Sequence, residues 1–360
     1  MHGLERDAGA GDALELASRL CGLHAQLMSS AELTLWARVA DLEQGWLDRA
    51  LWDDRTLVKT WAMRGTLHLL PTAEMPLWHA ALATYSHFEK DAWLRAFGVT
   101  SAQLDALLEA VSDVVAAGAV TRAELADAVA RRTRSKSLGD KVLESWGAVL
   151  KPAAFRGALV FAPNAGRNVR FVHPRTWLGD ARSAPPDDPL VEVARRYLAA
   201  YGPATREDLA RWWAGVTPAR AGALIAALGD DVAEVDVDGT RAWMLAADVR
   251  LAAGAPPRRD VRLLPAFDQF VVAAPRATPP LAPPGLEGRV FRPQGWISAV
   301  VLVGGAVAGV WRHERKGRRV VVRIEPFSTV SRAVRHAAED EAERLAAFVG
   351  GVLELAWGRV

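Results

Sequence analysis

One pattern occurs twice in this chain and narrows its fold more than any other feature. Gly118-Ala119-Val120-Thr121-Arg122-Ala123-Glu124-Leu125-Ala126 is echoed at Gly202-Pro203-Ala204-Thr205-Arg206-Glu207-Asp208-Leu209-Ala210. Both copies place a threonine where a helix N-cap belongs and an acid at the third helical position. A helical pattern precedes each copy, over 102–117 and 189–200, and another follows, over 140–149 and 218–228. A hairpin pattern ends each unit. The first runs from Ala158-Leu159-Val160-Phe161 to Val169-Arg170-Phe171-Val172, the second over 232–245 with its turn at Asp238-Gly239. Three helices and then a two-stranded hairpin is the winged-helix order, a variant of helix-turn-helix.

The N-terminal region reads as a third copy. It has helical patterns over 14–21, 30–39 and 43–51, then an extended run over 58–70 turning at Arg64-Gly65. Pro256-Pro257 and the Pro-rich stretch 275–284 punctuate the C-terminal third. There, strand patterns lie at 261–264, 267–273, 299–303, 307–312 and 319–324, followed by a helix from Ser331 to Phe348 and a last strand at 352–357. The expected class is α+β: tandem winged-helix units followed by a small antiparallel β-barrel. The expected domains are 1–98, 99–184, 185–254 and 255–360, the last carrying a basic hairpin and the C-terminal helix.

The length, 360 residues, suits several such units. A net charge of +2 is nearly neutral, so any surface for a polyanion must come from local clustering. Cys21 is the only cysteine, which excludes an internal disulfide framework and a multi-cysteine zinc site. Residues 1–12 carry Glu5, Arg6, Asp7 and Asp12, unlike a signal peptide, and no apolar run approaches a membrane span. A soluble, cytoplasmic protein without membrane contact is expected. His313-Glu314 begins like a zinc-protease motif but lacks the second histidine, and neither a P-loop nor a Gly-x-Ser-x-Gly elbow is present. No metal and no cofactor are expected.

Two features have chemistry to offer. Between the first two helical patterns, Gly22-Leu23-His24-Ala25-Gln26 sets His24 and Gln26 two residues apart in an apolar segment. An extended chain points both to one side, whereas a helix does not. Ser29 and Glu32 read as a capping box opening the next helix. From spacing alone, His24 is either a half-buried turn histidine or half of a small polar site. The other feature is basic. Arg312, Arg315, Lys316, Arg318, Arg319 and Arg323 fall on one hairpin, and Arg131, Arg132, Arg134 and Lys136 follow the middle helix of the central unit. A basic hairpin suits a DNA groove or a charge-protected sheet edge. Arg167, Asn168 and Arg170 on the wing could add phosphate contacts. Asp268, at a strand end, is a candidate catalytic or structural acid.

The chain resembles the winged-helix DNA glycosylases of the AlkZ/YcaQ kind over roughly 14–357. The resemblance rests on Gly22-Leu23-His24-Ala25-Gln26, Leu35-Trp36-Ala37-Arg38, Met63-Arg64-Gly65-Thr66-Leu67-His68-Leu69-Leu70-Pro71 and Lys151-Pro152-Ala153-Ala154-Phe155-Arg156-Gly157. Leu263-Leu264-Pro265-Ala266-Phe267-Asp268 and the run from Val303 to Arg312 complete it. It implies three winged helices and a barrel around duplex DNA, and excision of N7-alkylated purines, in some members with unhooking of interstrand crosslinks. It also implies a role in base excision repair or genotoxin self-resistance. The family signature is Gln-x-Gln or Gln-x-Asp. Here the matching positions are His24 and Gln26, a His-x-Gln variant whose departure marks either substrate choice or loss of activity. The expected partner is double-stranded DNA carrying alkylated purines, met by a monomeric, monofunctional glycosylase associated with the nucleoid. The competing reading is a non-catalytic winged-helix regulator that binds intact DNA.

Overall fold

The computed structural model describes residues 3–6, 8–180, 183–255, 259–274 and 281–360. Pro256, Pro257 and residues 275–280 of the expected Pro-rich punctuation lie outside the described residues. Contact density divides the chain into two compact units. One comprises 48–193 and 213–217, the other 1–47, 194–212 and 218–360.

In the first unit, Ser101–Ala116 is a long amphipathic helix with Leu104, Leu107, Leu108, Val111 and Val115 on its buried side. The threonine predicted to cap the next helix does so. Thr121 Oγ1 accepts from the Glu124 amide at 3.3 Å, and Glu124 Oε2 accepts from the Thr121 amide at 2.7 Å. The helix Arg122–Thr133 ends at Arg134, whose φ of 52° turns the chain into the helix Lys136–Leu143. These two helices approach closely at Gly139, where a Cβ would lie 2.6 Å from the Ala126 carbonyl oxygen and 2.8 Å from the Ala130 Cβ. The strands Val160–Ala165 and Asn168–Val172 form the expected hairpin. The short strand Val120–Thr121 joins its edge, pairing Val120 with Phe171. Earlier in this unit, Leu57–Trp61 and Leu67–Pro71 form an antiparallel hairpin, and Trp61 packs on Phe161 and Phe171 at 4.9 and 6.0 Å between ring centroids.

In the second unit the repeat recurs with the same cap. The Asp208 amide donates to Thr205 Oγ1 at 3.1 Å, and the Thr205 amide to Asp208 Oδ2 at 3.2 Å. The helices Pro189–Tyr201, Arg206–Trp213 and Pro218–Ala226 precede the hairpin of Val232–Val237 and Thr240–Leu245, turning at Asp238-Gly239 as expected.

The C-terminal strands differ from expectation. They form one five-stranded sheet ordered Val352–Trp357, Arg319–Pro326, Ala306–Lys316, Val300–Val303, Val261–Leu264. Among the described residues it has two edges, so it is an open sheet and not a barrel. It is also not wholly antiparallel, because Val352–Trp357 runs parallel to Arg319–Pro326. A parallel neighbour needs a crossover, and the helix Arg332–Phe348, capped by Ser331, supplies it. Val320, Val322 and Ile324 alternate into the core of this sheet.

Two local readings are also corrected. The 267–273 run is not a strand: Asp268 Oδ1 accepts from the Phe270 amide at 2.9 Å and caps a short helix, Gln269–Ala273. The Ser29–Glu32 capping box is not made either. The helix Met28–Trp36 begins from Leu27, which puts Ser29 inside its first turn.

Two stability outcomes follow from the first unit. Gly139→Ala should cost about 1–3 kcal/mol in denaturant unfolding, because its methyl meets a carbonyl and another Cβ that cannot both retreat. An unchanged midpoint would show that the helices part without cost. His79 packs on Gly157, and burial, reinforced by His173, pushes its pKa down to about 4. The unfolded histidine, near 6.5, binds more protons than the native one between pH 4 and 6.5. Stability should therefore rise with pH across that window, by at most about 3 kcal/mol, and be lost as pH falls through it. Urea titrations at several pH values check this, and His79→Leu should flatten the dependence.

Candidate active site

The segment bearing His24 and Gln26 is set by the end of the helix Ala13–Arg19. Cys21 adopts φ 58° and donates its amide to Ser18 O at 2.9 Å, while the Gly22 amide reaches back to Ala17 O at 2.8 Å. This paired termination, with a left-handed residue after the cap, turns the chain sharply out of the helix. Leu23–His24 follows as a two-residue strand. Two side chains hold the turn by its carbonyls. The Tyr201 hydroxyl donates to Leu20 O at 2.6 Å, and Gln269 Nε2 donates to Gly22 O at 2.6 Å.

His24 is buried, 5% exposed, and its ring stacks on Phe267, centroids 4.9 Å apart and planes 8° from parallel. Trp296 meets the same Phe267 edge-on at 5.0 Å and is itself 42% exposed. The aromatic series His24, Phe267, Trp296 thus runs from core to surface. Gln26 sits in a bend and is exposed. The strand ends at His24, so the predicted extension through both residues is cut short. The structure brings His24 to Phe267 and leaves Gln26 at the solvent.

Asp268 is no solvent-facing acid. It is sealed with Arg38 in an ion pair whose two side chains are both 0% exposed. Arg38 Nη1 donates to Asp268 Oδ2 at 2.8 Å and to Thr34 O at 2.9 Å, and Nη2 donates to Asp268 Oδ1 at 2.7 Å. This bidentate pairing satisfies the carboxylate internally. Phe267, one residue before, has φ 58°, a left-handed conformation unusual for an aromatic residue. Sequence reasoning missed Arg38, Phe267 and Gln269 as members of this site. Their only signal was position, in or directly beside motifs that carried the family resemblance.

The basic hairpin exists, with Lys316 opposite Arg319 and Arg312 opposite Arg323 across the strands Ala306–Lys316 and Arg319–Pro326. Its cations are unequal. Arg315 folds back onto the carbonyls of Val349 and Gly350, at 3.1 and 3.4 Å, at the end of the helix Arg332–Phe348. Arg319 pairs with Glu354 at 3.1 Å and Lys316 with Glu314 at 3.2 Å. Arg312 and Arg318 are exposed and make no ion pair among the described residues. In the other unit, Arg131, Arg134 and Lys136 are exposed where two helices meet, and Arg132 pairs with Asp113 at 3.1 Å. Arg167 is exposed at the wing tip, whereas Arg170 braces the wing by donating to Pro163 O at 2.6 Å. Among the described residues no group of three His, Cys, Asp or Glu side chains could hold a metal ion, and no helix is long and apolar enough to cross a membrane.

Comparison with known proteins agrees over nearly the whole chain. The pattern of the family described as DNA glycosylase AlkZ-like matches residues 17–348. An interstrand DNA cross-link repair glycosylase of Streptomyces sahachiroi is 35% identical over 342 residues, covering 94% of this chain and 91% of that protein. The solved structure of the Streptomyces sahachiroi DNA glycosylase AlkZ is similar with a TM-score of 0.90 at 34% identity, covering 99% of this chain and 96% of that one. The protein therefore belongs to the AlkZ-like family of DNA glycosylases.

Proposed function

We propose that this glycosylase hydrolyses the N-glycosidic bond of N7-alkylated purines in duplex DNA, in base excision repair or genotoxin self-resistance. The relative's interstrand cross-link repair extends the candidate substrates to interstrand crosslinks. The observation that carries the reading is the pairing, within three residues, of a clamped, buried histidine with an exposed glutamine. We take the chain as three winged-helix modules, 1–98, 99–184 and 185–254, followed by the sheet domain 255–360, acting as a monomer without cofactor.

The chemistry asks little of the protein. N7 alkylation leaves the purine cationic, so it departs as a neutral base with the glycosidic electron pair. The Gln26 side-chain carbonyl orients a water toward C1′ of the oxocarbenium-like sugar. The water oxygen bonds to C1′, and its proton passes to the His24 imidazole. Phe267 and Gln269 hold His24 and its turn in place, so little reorganisation is needed when charge develops. Asp268 acts through Arg38 and meets no substrate. His24 in the first signature position sets which adduct fits. Exposed Arg312 and Arg318, with Arg131, Arg134, Lys136 and Arg167, contact phosphates.

The direct test is release of free base, scored by chromatography, from duplex carrying N7-methylguanine or bulkier N7 adducts. His24→Ala and Gln26→Ala should each lower single-turnover release by about 10²-fold or more while duplex binding persists. Wild-type release by both variants would remove these residues from the site. Arg312 and Arg318 replaced together by alanine should flatten the log–log salt dependence of duplex binding by about 1.8, about 0.9 per contact, equally on damaged and undamaged DNA. An unchanged slope would make the hairpin a charged sheet edge and nothing more.

A further inference from the structure

Two sequence motifs that mark the family have no part in the site above. They are Met63 to Pro71 and Lys151 to Gly157, and both lie in the unit of residues 48–193 and 213–217. The structure brings them to one pocket. The turn between the strands Leu57–Trp61 and Leu67–Pro71 contains two successive left-handed residues, Arg64 at φ 58° and Gly65 at φ 63°. A Cβ at Gly65 would lie 3.5 Å from both Cδ and Nζ of Lys151, so the ammonium rests directly against this turn. Arg64 and Lys151 line a cavity of about 180 Å³, together with Tyr85, His87, Trp93 and Phe97.

The pocket presents two cations, Arg64 and Lys151. Among the described residues no aspartate or glutamate lines it. Glu89, one residue beyond Phe88 on its wall, is engaged by Arg156 at 3.2 Å. Lys151 makes no ion pair among the described residues, and burial pushes its pKa down. His87 is pushed down as well, first by burial, then by the charges of Lys151 and Lys90. The Tyr85 hydroxyl is already committed, donating to the Trp213 carbonyl. A half-buried ammonium with no ion pair of its own is a standing cost that an anion would remove.

The aromatic wall narrows the kind of anion. Trp93 and Phe97 stack at 4.0 Å with planes 23° apart, one helical turn from each other on Asp91–Phe97, and both are partly exposed. A flat aromatic surface beside two phosphate-reading cations suits a nucleotide unit, with its phosphate on the cations and its sugar or base on the rings.

We propose that this pocket is a phosphate site, seating a backbone phosphate of a nucleic-acid strand between Arg64 and Lys151 with the neighbouring nucleoside against Trp93. The backbone source rests on the DNA glycosylase reading, whereas the phosphate chemistry does not. The test is acetylation of Lys151 in the full-length protein, followed by mass spectrometry, with ion-paired Lys141 as reference. The probes are inorganic phosphate at constant ionic strength, and a short undamaged duplex with and without a 5′-phosphate. Both duplexes should protect Lys151, and Lys151→Gln should flatten the salt slope of duplex binding by about 0.9 while Lys151→Arg restores it. Protection by inorganic phosphate alone, or only by the 5′-phosphorylated duplex, would keep the phosphate site and overturn the backbone source. Lys151 acetylated equally with every probe would overturn the site itself. Because undamaged DNA is used and no turnover is read, a protected Lys151 in a protein that releases no base would count against the glycosylase chemistry and not against this pocket.

Discussion

The ion pair between Arg38 and Asp268 organises the neighbourhood of His24. Both side chains are withdrawn from water, and their bidentate contact joins residues 230 positions apart. Desolvating two charges is expensive, so such a pair holds only where every strong donor and acceptor is met. Here Asp268 also takes the Phe270 amide and Arg38 also reaches Thr34 O. Removing either partner leaves an unmatched buried charge, a loss of about 3–5 kcal/mol. The flanking residues show what the pair is for. Phe267 lies flat on His24, and Gln269 holds the Gly22 carbonyl at the root of the same turn. A left-handed Phe267 costs about 1–2 kcal/mol of backbone strain, which the clamp on Asp268 offsets.

The helix that follows His24 is tied down at its far end too. Arg344, from the C-terminal helix, donates to the carbonyls of Trp36 and Val39 at 2.6 and 2.7 Å, with its guanidinium 4.5 Å from the Trp36 ring centre. Burial, with the nearby charge of Arg6, pushes its pKa down to about 10, and it remains cationic at neutral pH. A cation at a helix C-terminus meets the negative end of the dipole. The turn before His24 and the helix after it are thus each anchored by residues distant in sequence.

What the sequence disclosed depended on how local the governing interaction was. Thr121 with Glu124, and Thr205 with Asp208, close their caps within four residues, and both were legible. Ser29 and Glu32 carry the same pattern, yet the helix starts earlier and swallows Ser29. The run from Phe267 to Ala273 has the apolar composition of a strand. It becomes a helix because Asp268 is fixed by Arg38 and can cap it, a relation no local window contains. The parallel pairing of the last strand likewise depends on the crossover of the helix before it. Spacing and family resemblance singled out His24 and Gln26 as candidates, but not that one is buried and the other exposed. Counting cations found the basic hairpin, but not that Arg315 and Arg319 are already engaged while Arg312 and Arg318 are not.

The central claim is that Phe267 works through His24, holding the imidazole where it can take a proton. A double-variant comparison tests this most directly. Single-turnover base release from an N7-alkylguanine duplex would be measured for Phe267→Ala, His24→Ala and the two combined, with thermal melts confirming that each is folded. If the ring acts only by positioning the imidazole, Phe267→Ala slows release, and the combined variant is no slower than His24→Ala alone. Losses that multiply in the combined variant would contradict the account, because Phe267 would then contribute without His24.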